Sequence, residues 1–190
     1  MSIIDSEIKV EKNISNFTSS VRIAIKNENW YAALTTALTL PDICGELENP
    51  KLYSSKRYIQ WFDEYMLSKY TVETQGQQEV HLNGNDAYAL RCSYLHGGSA
   101  DISDQDKQKV LSQFIFMAPK IVDGEFKGSH NNRVNTSLIL RVDRFCEDVC
   151  TAIESWVLKN KAKSEIQNRV SNMVNIHEGS VIVDGVLIEL

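Results

Sequence analysis

An arginine and a histidine separated by four residues, Arg91-Cys92-Ser93-Tyr94-Leu95-His96, are the pair in this sequence best suited to chemistry. A histidine exchanges protons near neutral pH, so His96 can serve a ribose 2′-hydroxyl or a leaving oxygen as acid or base. An arginine clamps phosphate through a planar fork of donors and offsets charge developing there, which is the role open to Arg91. Two such groups suffice for acid–base chemistry at a phosphate, provided they meet in one site. Ser93 is a second polar group inside the motif, and Asp42, after Pro41 at an expected bend, is a carboxylate able to orient Arg91. Each residue also has an ordinary alternative. Arg91 can form an ion pair with Asp42 or Glu46, His96 can sit at a helix end favoured by the macrodipole, and Asp42 can start a helix.

The element that must position the motif is short and well bounded. Asn83-Gly84-Asn85-Asp86 supplies capping side chains ahead of a helix running from Ala87 to His96, and Gly97-Gly98 stops it. On an ideal helix five steps turn His96 about 140° away from Arg91, so the two do not share a face. The glycines are expected to let the last turn unwind towards the arginine, or a partner subunit to supply the complementary group.

Around this helix the apolar period predicts four more. Ile8, Ile14, Phe17, Val21, Ala24 and Ile25 mark a helix from about Glu7 to Asn27. A second starts after Asn27-Glu28-Asn29 and runs from Trp30 towards Pro41; it is apolar nearly all round and therefore central, with a kink or a fresh start at the proline. A third, Ser54 to Tyr70, is aromatic, with Ser54 or Ser55 as its cap, and its Tyr58, Trp61, Phe62 and Tyr65, like Trp30 and Tyr31 before it, read as core. Thr71 to Glu79 is polar and glutamine-rich and reads as an exposed loop. Phe114 to Met117 and Ser137 to Val142 read as two strands of a small ribbon, flanking a loop in which His130 is expected to be solvated. Asp143 caps a long helix to about Lys161, and Asp184-Gly185 between β-branched runs predicts a C-terminal hairpin. The expected fold is mainly α, an antiparallel helical bundle with a small β-ribbon and a C-terminal β-hairpin. It forms one domain over residues 1–190, with a helical core of about 8–160 and an extension of about 161–190.

Composition narrows the function further. With 43% hydrophobic and 24% charged residues the chain is ordinary for a globular domain, and no apolar run approaches the roughly 18 residues that span a bilayer. The first residues, MSIIDSEIKVEKN, fit neither a secretory signal nor a transit peptide, so a cytoplasmic protein without membrane association is expected. Cys44, Cys92, Cys146 and Cys150 lie in helical stretches and read as reduced core thiols; Cys146 and Cys150 share a face but lack further ligands for a metal. Phosphate-loop, dinucleotide, zinc-protease and nucleophile-elbow signatures are all missing, so no cofactor is expected. A net charge of -5 repels a polyanion at long range, so any nucleic acid must be held by a local site.

The Arg91 to His96 spacing, on a glycine-stopped helix in a helical chain of this length, resembles the motif of HEPN-domain proteins, in which an arginine is followed after four to six residues by a histidine. The helix pattern is similar over about residues 8 to 160, while Arg91 and His96 alone carry the likeness by identity. The resemblance implies a homodimer in which two motifs face each other, metal-independent endoribonuclease activity, and a role in bacterial defence or a toxin-antitoxin system. The chain departs from the family at Cys92, where a polar residue such as asparagine or aspartate often follows the arginine, so Ser93 has to substitute. Two other readings stand beside it: a catalytically silent HEPN-like module that binds RNA or a regulatory protein partner, and an unrelated helical scaffold.

Overall fold

Apolar residues recurring at three- and four-residue steps, with capping side chains before them, decide where the helices form. The computed structural model describes residues 3–174, 176, 179–183 and 185–189. Its helices are α1 (Ile3–Lys26), α2 (Trp30–Glu48), α3 (Ser54–Tyr65), α4 (Gly84–Gly97), α5 (Val142–Asn160) and α6 (Ser164–Val170), so the fold is mainly α as expected. Asn29 starts α2 by accepting from the Ala32 amide at 3.3 Å. That helix packs against α1, α3, α4, α5 and α6 and buries Ala33, Leu34, Ala37, Leu38, Leu40, Cys44 and Leu47, which makes it the centre of the bundle. It neither stops nor restarts at Pro41 but continues as one element to Glu48. A proline forfeits one backbone bond, and packing on several neighbours offsets that loss.

α3 buries Tyr58, Trp61 and Phe62, whereas Tyr31 on α2 is 79% exposed and is no part of the core. The helix ends at Tyr65, earlier than expected, and a short 3-10 turn (Leu67–Tyr70) follows. Neither Ser54 nor Ser55 caps it: Tyr53 holds the cap position without a side-chain bond, and the Ser54 hydroxyl donates to Asp42 instead. Small residues let α3 sit between its neighbours. A Cβ at Gly45 of α2 would meet the Arg57 backbone at 3.2 Å, and one at Gly84 of α4 would meet the Ile59 carbonyl oxygen at 2.5 Å.

The segment expected to be a loop is a hairpin, β1 (Thr71–Thr74) paired antiparallel with β2 (Gln77–Val80). Its turn residues Gln75 and Gly76 have φ of 54° and 78°, the positive pair that matches strand twist in a two-residue turn. Further on come β3 (Gln113–Met117), β4 (Lys120–Val122), β5 (Glu125–Lys127), β6 (Asn132–Val134) and β7 (Ser137–Arg141). The two expected strands, β3 and β7, do pair, but in parallel, and β6 joins as a third strand in the order β3-β7-β6. The intervening chain returns through the β4–β5 hairpin, long enough to bring β7 alongside β3 in the same direction. Phe114, Leu138 and Leu140 face the helices, and Phe116 meets Phe145 of α5 edge to face at 5.8 Å.

α5 buries Phe145, Cys146, Val149, Cys150, Ile153 and Trp156 along one stripe. Asp143 lies inside its first turn and does not cap it; the carboxylate accepts from Arg141 at 2.7 and 3.0 Å. Within the expected extension, α6 buries Ile166 and Val170 against the bundle, and β8 (Val181–Val183) pairs antiparallel with β9 (Val186–Ile188) as the expected terminal hairpin. Asp184 of its turn lies outside the described residues. All four cysteines are free thiols, with Cys44, Cys146 and Cys150 buried and Cys92 half-buried. Among the described residues no helix is long and apolar enough to cross a membrane.

Candidate active site

Helix α4 is fixed at both ends. At its start the Asn83 side chain accepts from the amides of Asn85 and Asp86 at 2.9 and 3.0 Å, and the Gly84 amide donates to Asp63 of α3 at 2.7 Å. At its end Gly98 adopts the left-handed conformation with φ 64°, its amide reaching the Tyr94 carbonyl at 2.8 Å while Ser99 reaches Ser93 at 3.2 Å. This double closure is a glycine-dependent C-cap, and it keeps the helix regular through Gly97. The last turn of α4 therefore does not unwind towards Arg91 as expected.

Arg91 turns inward to the junction of α2, α3 and α4, where its side chain is 20% exposed. Nη2 donates to Oδ2 of Asp42 at 3.4 Å, Nη1 approaches the Cys92 sulfur at 4.0 Å, and Nε is buried without a hydrogen-bond partner. Asp42 is thus brought to Arg91, from the middle of a helix and not from a helix start. The same carboxylate accepts from Arg57 Nε at 2.7 Å and from the Ser54 hydroxyl at 2.9 Å. Glu46, the other expected partner of Arg91, pairs with Arg57. Arg91, Asp42, Arg57 and Glu46 line a cavity of about 320 Å³, with Thr39 and Met173 at its walls.

His96 is exposed in the last turn of α4 and lies outside the lining of that cavity. Five residues of regular helix separate it from Arg91 by about 7.5 Å of rise as well as by rotation, so one chain does not bring the two into the same cleft. Ser93 is buried on another side of the helix and donates to the Asp101 carbonyl at 2.6 Å.

Tyr58 and Tyr88 complete the buried side of the cluster, their rings edge to face at 5.5 Å. Burial pushes the Tyr58 phenol far above its usual range, with Arg91 pulling the other way, and the hydroxyl has no hydrogen-bond partner. Burial likewise raises Tyr88, helped by its contact with Cys92. Neither phenol supplies a base at neutral pH. Arg57 and Tyr58 escape a reading of the sequence because a cation and an aromatic in the first turns of an amphipathic helix look like a solvated and a core position.

A second titratable cluster was hidden in the polar loop. His130 is not solvated: its Nδ1 accepts from the Arg141 amide at 3.2 Å, Nε2 lies 3.6 Å from Asp148, and the ring packs on Tyr70. Asp148 also accepts from Lys69 at 3.0 Å and from the Tyr70 hydroxyl at 3.1 Å. Burial alone would raise the Asp148 carboxyl, but the donors of His130, Lys69 and Tyr70 outweigh it and hold the group below the usual carboxylate range. With Nδ1 occupied as an acceptor, His130 keeps no free lone pair for base chemistry, so the cluster fastens the loop to α5. A depressed folded-state value stabilises above the unfolded value and loses that contribution as pH falls through the folded one. Asp148→Asn is therefore expected to lower the urea midpoint at pH 7, with the gap to the wild type closing below about pH 4. An equal gap at pH 7 and pH 3 would contradict this.

A larger cavity, about 570 Å³, opens at the β7–α5 junction, lined by Arg141, Asp143, Arg144, Glu147 and the β4–β5 turn. Arg141 is paired with Asp143 there, and Glu147 with Arg22. Neither Arg91 nor His96 reaches it. No protein-family model matches the chain, and no curated protein or solved structure matches it either.

Proposed function

We propose that this protein is a HEPN-like, metal-independent endoribonuclease that works as a homodimer, with Arg91 on phosphate and His96 exchanging the proton, in a bacterial defence or toxin-antitoxin setting. The observation that carries the reading is the placement of the pair on α4: the guanidinium lines a cavity with a single long bond to an acidic oxygen, and the imidazole is exposed where the helix ends. Arg91 and His96 of one chain diverge, so cleavage requires the motif of a second copy to face the first across a two-fold axis. The net charge of -5 leaves RNA capture to that local site and makes it strongly salt-dependent.

A second reading is favoured by a specific contact. Arg91 is engaged by Asp42 within its own chain, as a structural arginine would be, which suits a silent module binding RNA or a regulatory protein partner. Cleavage of a mixed RNA pool with EDTA present separates the two. The wild type should cut, and Arg91→Ala and His96→Ala should each cut about a hundredfold more slowly while remaining folded. Equal cutting by the variants, or none by the wild type, would remove the nuclease reading in favour of the binding module.

A further inference from the structure

Two guanidinium groups compete for one carboxylate at the α2–α3–α4 junction, and they do not share it equally. Arg57 Nε takes Oδ1 of Asp42 at 2.7 Å and the Ser54 hydroxyl takes Oδ2 at 2.9 Å, whereas Arg91 reaches Oδ2 only at 3.4 Å. Arg57 is further tied to the Leu52 carbonyl at 3.2 Å and to Glu46, so it is committed to the scaffold. Arg91 is in the opposite condition. Its other hydrogen-bond contact is the Cys92 sulfur at 4.0 Å, a weak acceptor, and its Nε is unpartnered. A carboxylate facing a lone arginine normally closes on it through two parallel bonds. Here both oxygens of Asp42 are engaged by shorter bonds from α3, which orient the carboxylate towards that helix and leave Arg91 one long bond.

We infer that Arg57, assisted by Ser54, is a positioning residue: by orienting Asp42 towards α3 it keeps that carboxylate from clamping Arg91 through two bonds, and so leaves the Arg91 guanidinium available to a phosphate oxygen of a single RNA strand. The inference rests on the reading of Arg91 as a phosphate-binding group. Arg57 acts through the carboxylates it holds, Asp42 first and Glu46 beside it, which distinguishes its role from a simple contribution of positive charge to the cavity.

The test is the affinity of the full chain for a 2′-O-methyl single-stranded RNA oligonucleotide, which cannot be cleaved through its 2′-oxygen, read by fluorescence anisotropy. Arg57→Gln is expected to weaken binding about fivefold, as Asp42 turns to Arg91. In a background carrying both Asp42→Asn and Glu46→Gln the same Arg57→Gln change should have no effect, because neither carboxylate that Arg57 holds remains to be released. Arg57→Lys, which keeps a cation on Asp42, should bind like the wild type. An equal weakening by Arg57→Gln in both backgrounds would mean that only charge is lost, and would overturn the inference. So would wild-type affinity in Arg57→Gln when Arg91→Ala does weaken binding. Binding indifferent to Arg91→Ala, or absent in the wild type, overturns the phosphate role of Arg91 and the inference with it. Should Arg57→Gln fail to fold, Ser54→Ala decides: freeing Oδ2 of Asp42 for Arg91 without any change of charge should weaken binding, and unchanged affinity counts against the proposal.

Discussion

Asp86→Ala is expected to destabilise the fold by about 3 to 5 kcal/mol, a large share of the roughly 5 to 15 kcal/mol that holds a domain together. The residue is fully buried at the start of α4. Oδ1 accepts from the amides of Lys109 and Val110 at 2.6 and 3.2 Å, and Oδ2 accepts from the Asn83 side chain at 3.0 Å. Truncation leaves two backbone N–H groups and a cap side chain without their acceptor, each costing about 1 to 3 kcal/mol when buried, and removes a negative charge from the helix N-terminus. Asp86→Asn retains one carbonyl oxygen for the two amides and should lose less than half as much. Urea denaturation of both variants checks the ordering. A loss below about 1 kcal/mol for alanine would mean that water replaces the carboxylate and the 109–110 segment does not depend on it. The consequence for the candidate site is direct, since Asp86 anchors the helix that carries both Arg91 and His96.

How much of this site could be read from the sequence depended on whether the signal was local. The caps of α4 were legible because Asn83 and Gly98 act through their own backbone neighbours, although the helix starts at Gly84 and not at the expected Ala87, and the centrality of α2 was legible because its apolar residues cover most of its circumference. Pro41 misled in the other direction: its local penalty is real, and long-range packing overrides it. The β1–β2 hairpin was missed because exposed glutamines carry no apolar alternation, leaving only the Gln75-Gly76 turn to announce it. The Arg91 to Asp42 pairing was open to inference as one of two partners, since each residue stood out by charge on an otherwise apolar stretch. Arg57 and the His130–Asp148 cluster were not, because contacts between residues 15 and 18 positions apart, on separate elements, leave no periodic trace. The motif itself was visible in the letters, but the regular course of α4 through Gly97, which holds His96 away from Arg91, is a property of the Gly98 cap geometry and not of the glycine count.

The close seat of α4 on α3 leads to an expectation that runs against intrinsic propensity. Glycine to alanine inside a helix normally gains up to about 1 kcal/mol, yet Gly84→Ala is expected to lose about 3 kcal/mol or more. An added Cβ would lie 2.5 Å from the Ile59 carbonyl oxygen and 2.9 Å from the Ile59 Cα, both backbone atoms of a packed helix that cannot rotate aside. Relief requires α4 to lift away from α3, which stretches the Gly84 amide bond to Asp63 and loosens the Tyr58–Tyr88 contact beside it. Gly97→Ala is the matched control, because a Cβ there meets nothing within 4 Å; it should leave stability unchanged or raise it slightly. Thermal and urea unfolding should therefore show a loss for Gly84→Ala and none for Gly97→Ala. If Gly84→Ala proves as stable as the wild type, the α3–α4 spacing is adjustable, and the Arg91 to Asp42 geometry that depends on it is adjustable too. If it is destabilised as expected but folded at low temperature, Arg91 should part from Asp42 and Tyr58 as α4 moves, and RNA binding should change without any alteration of the motif.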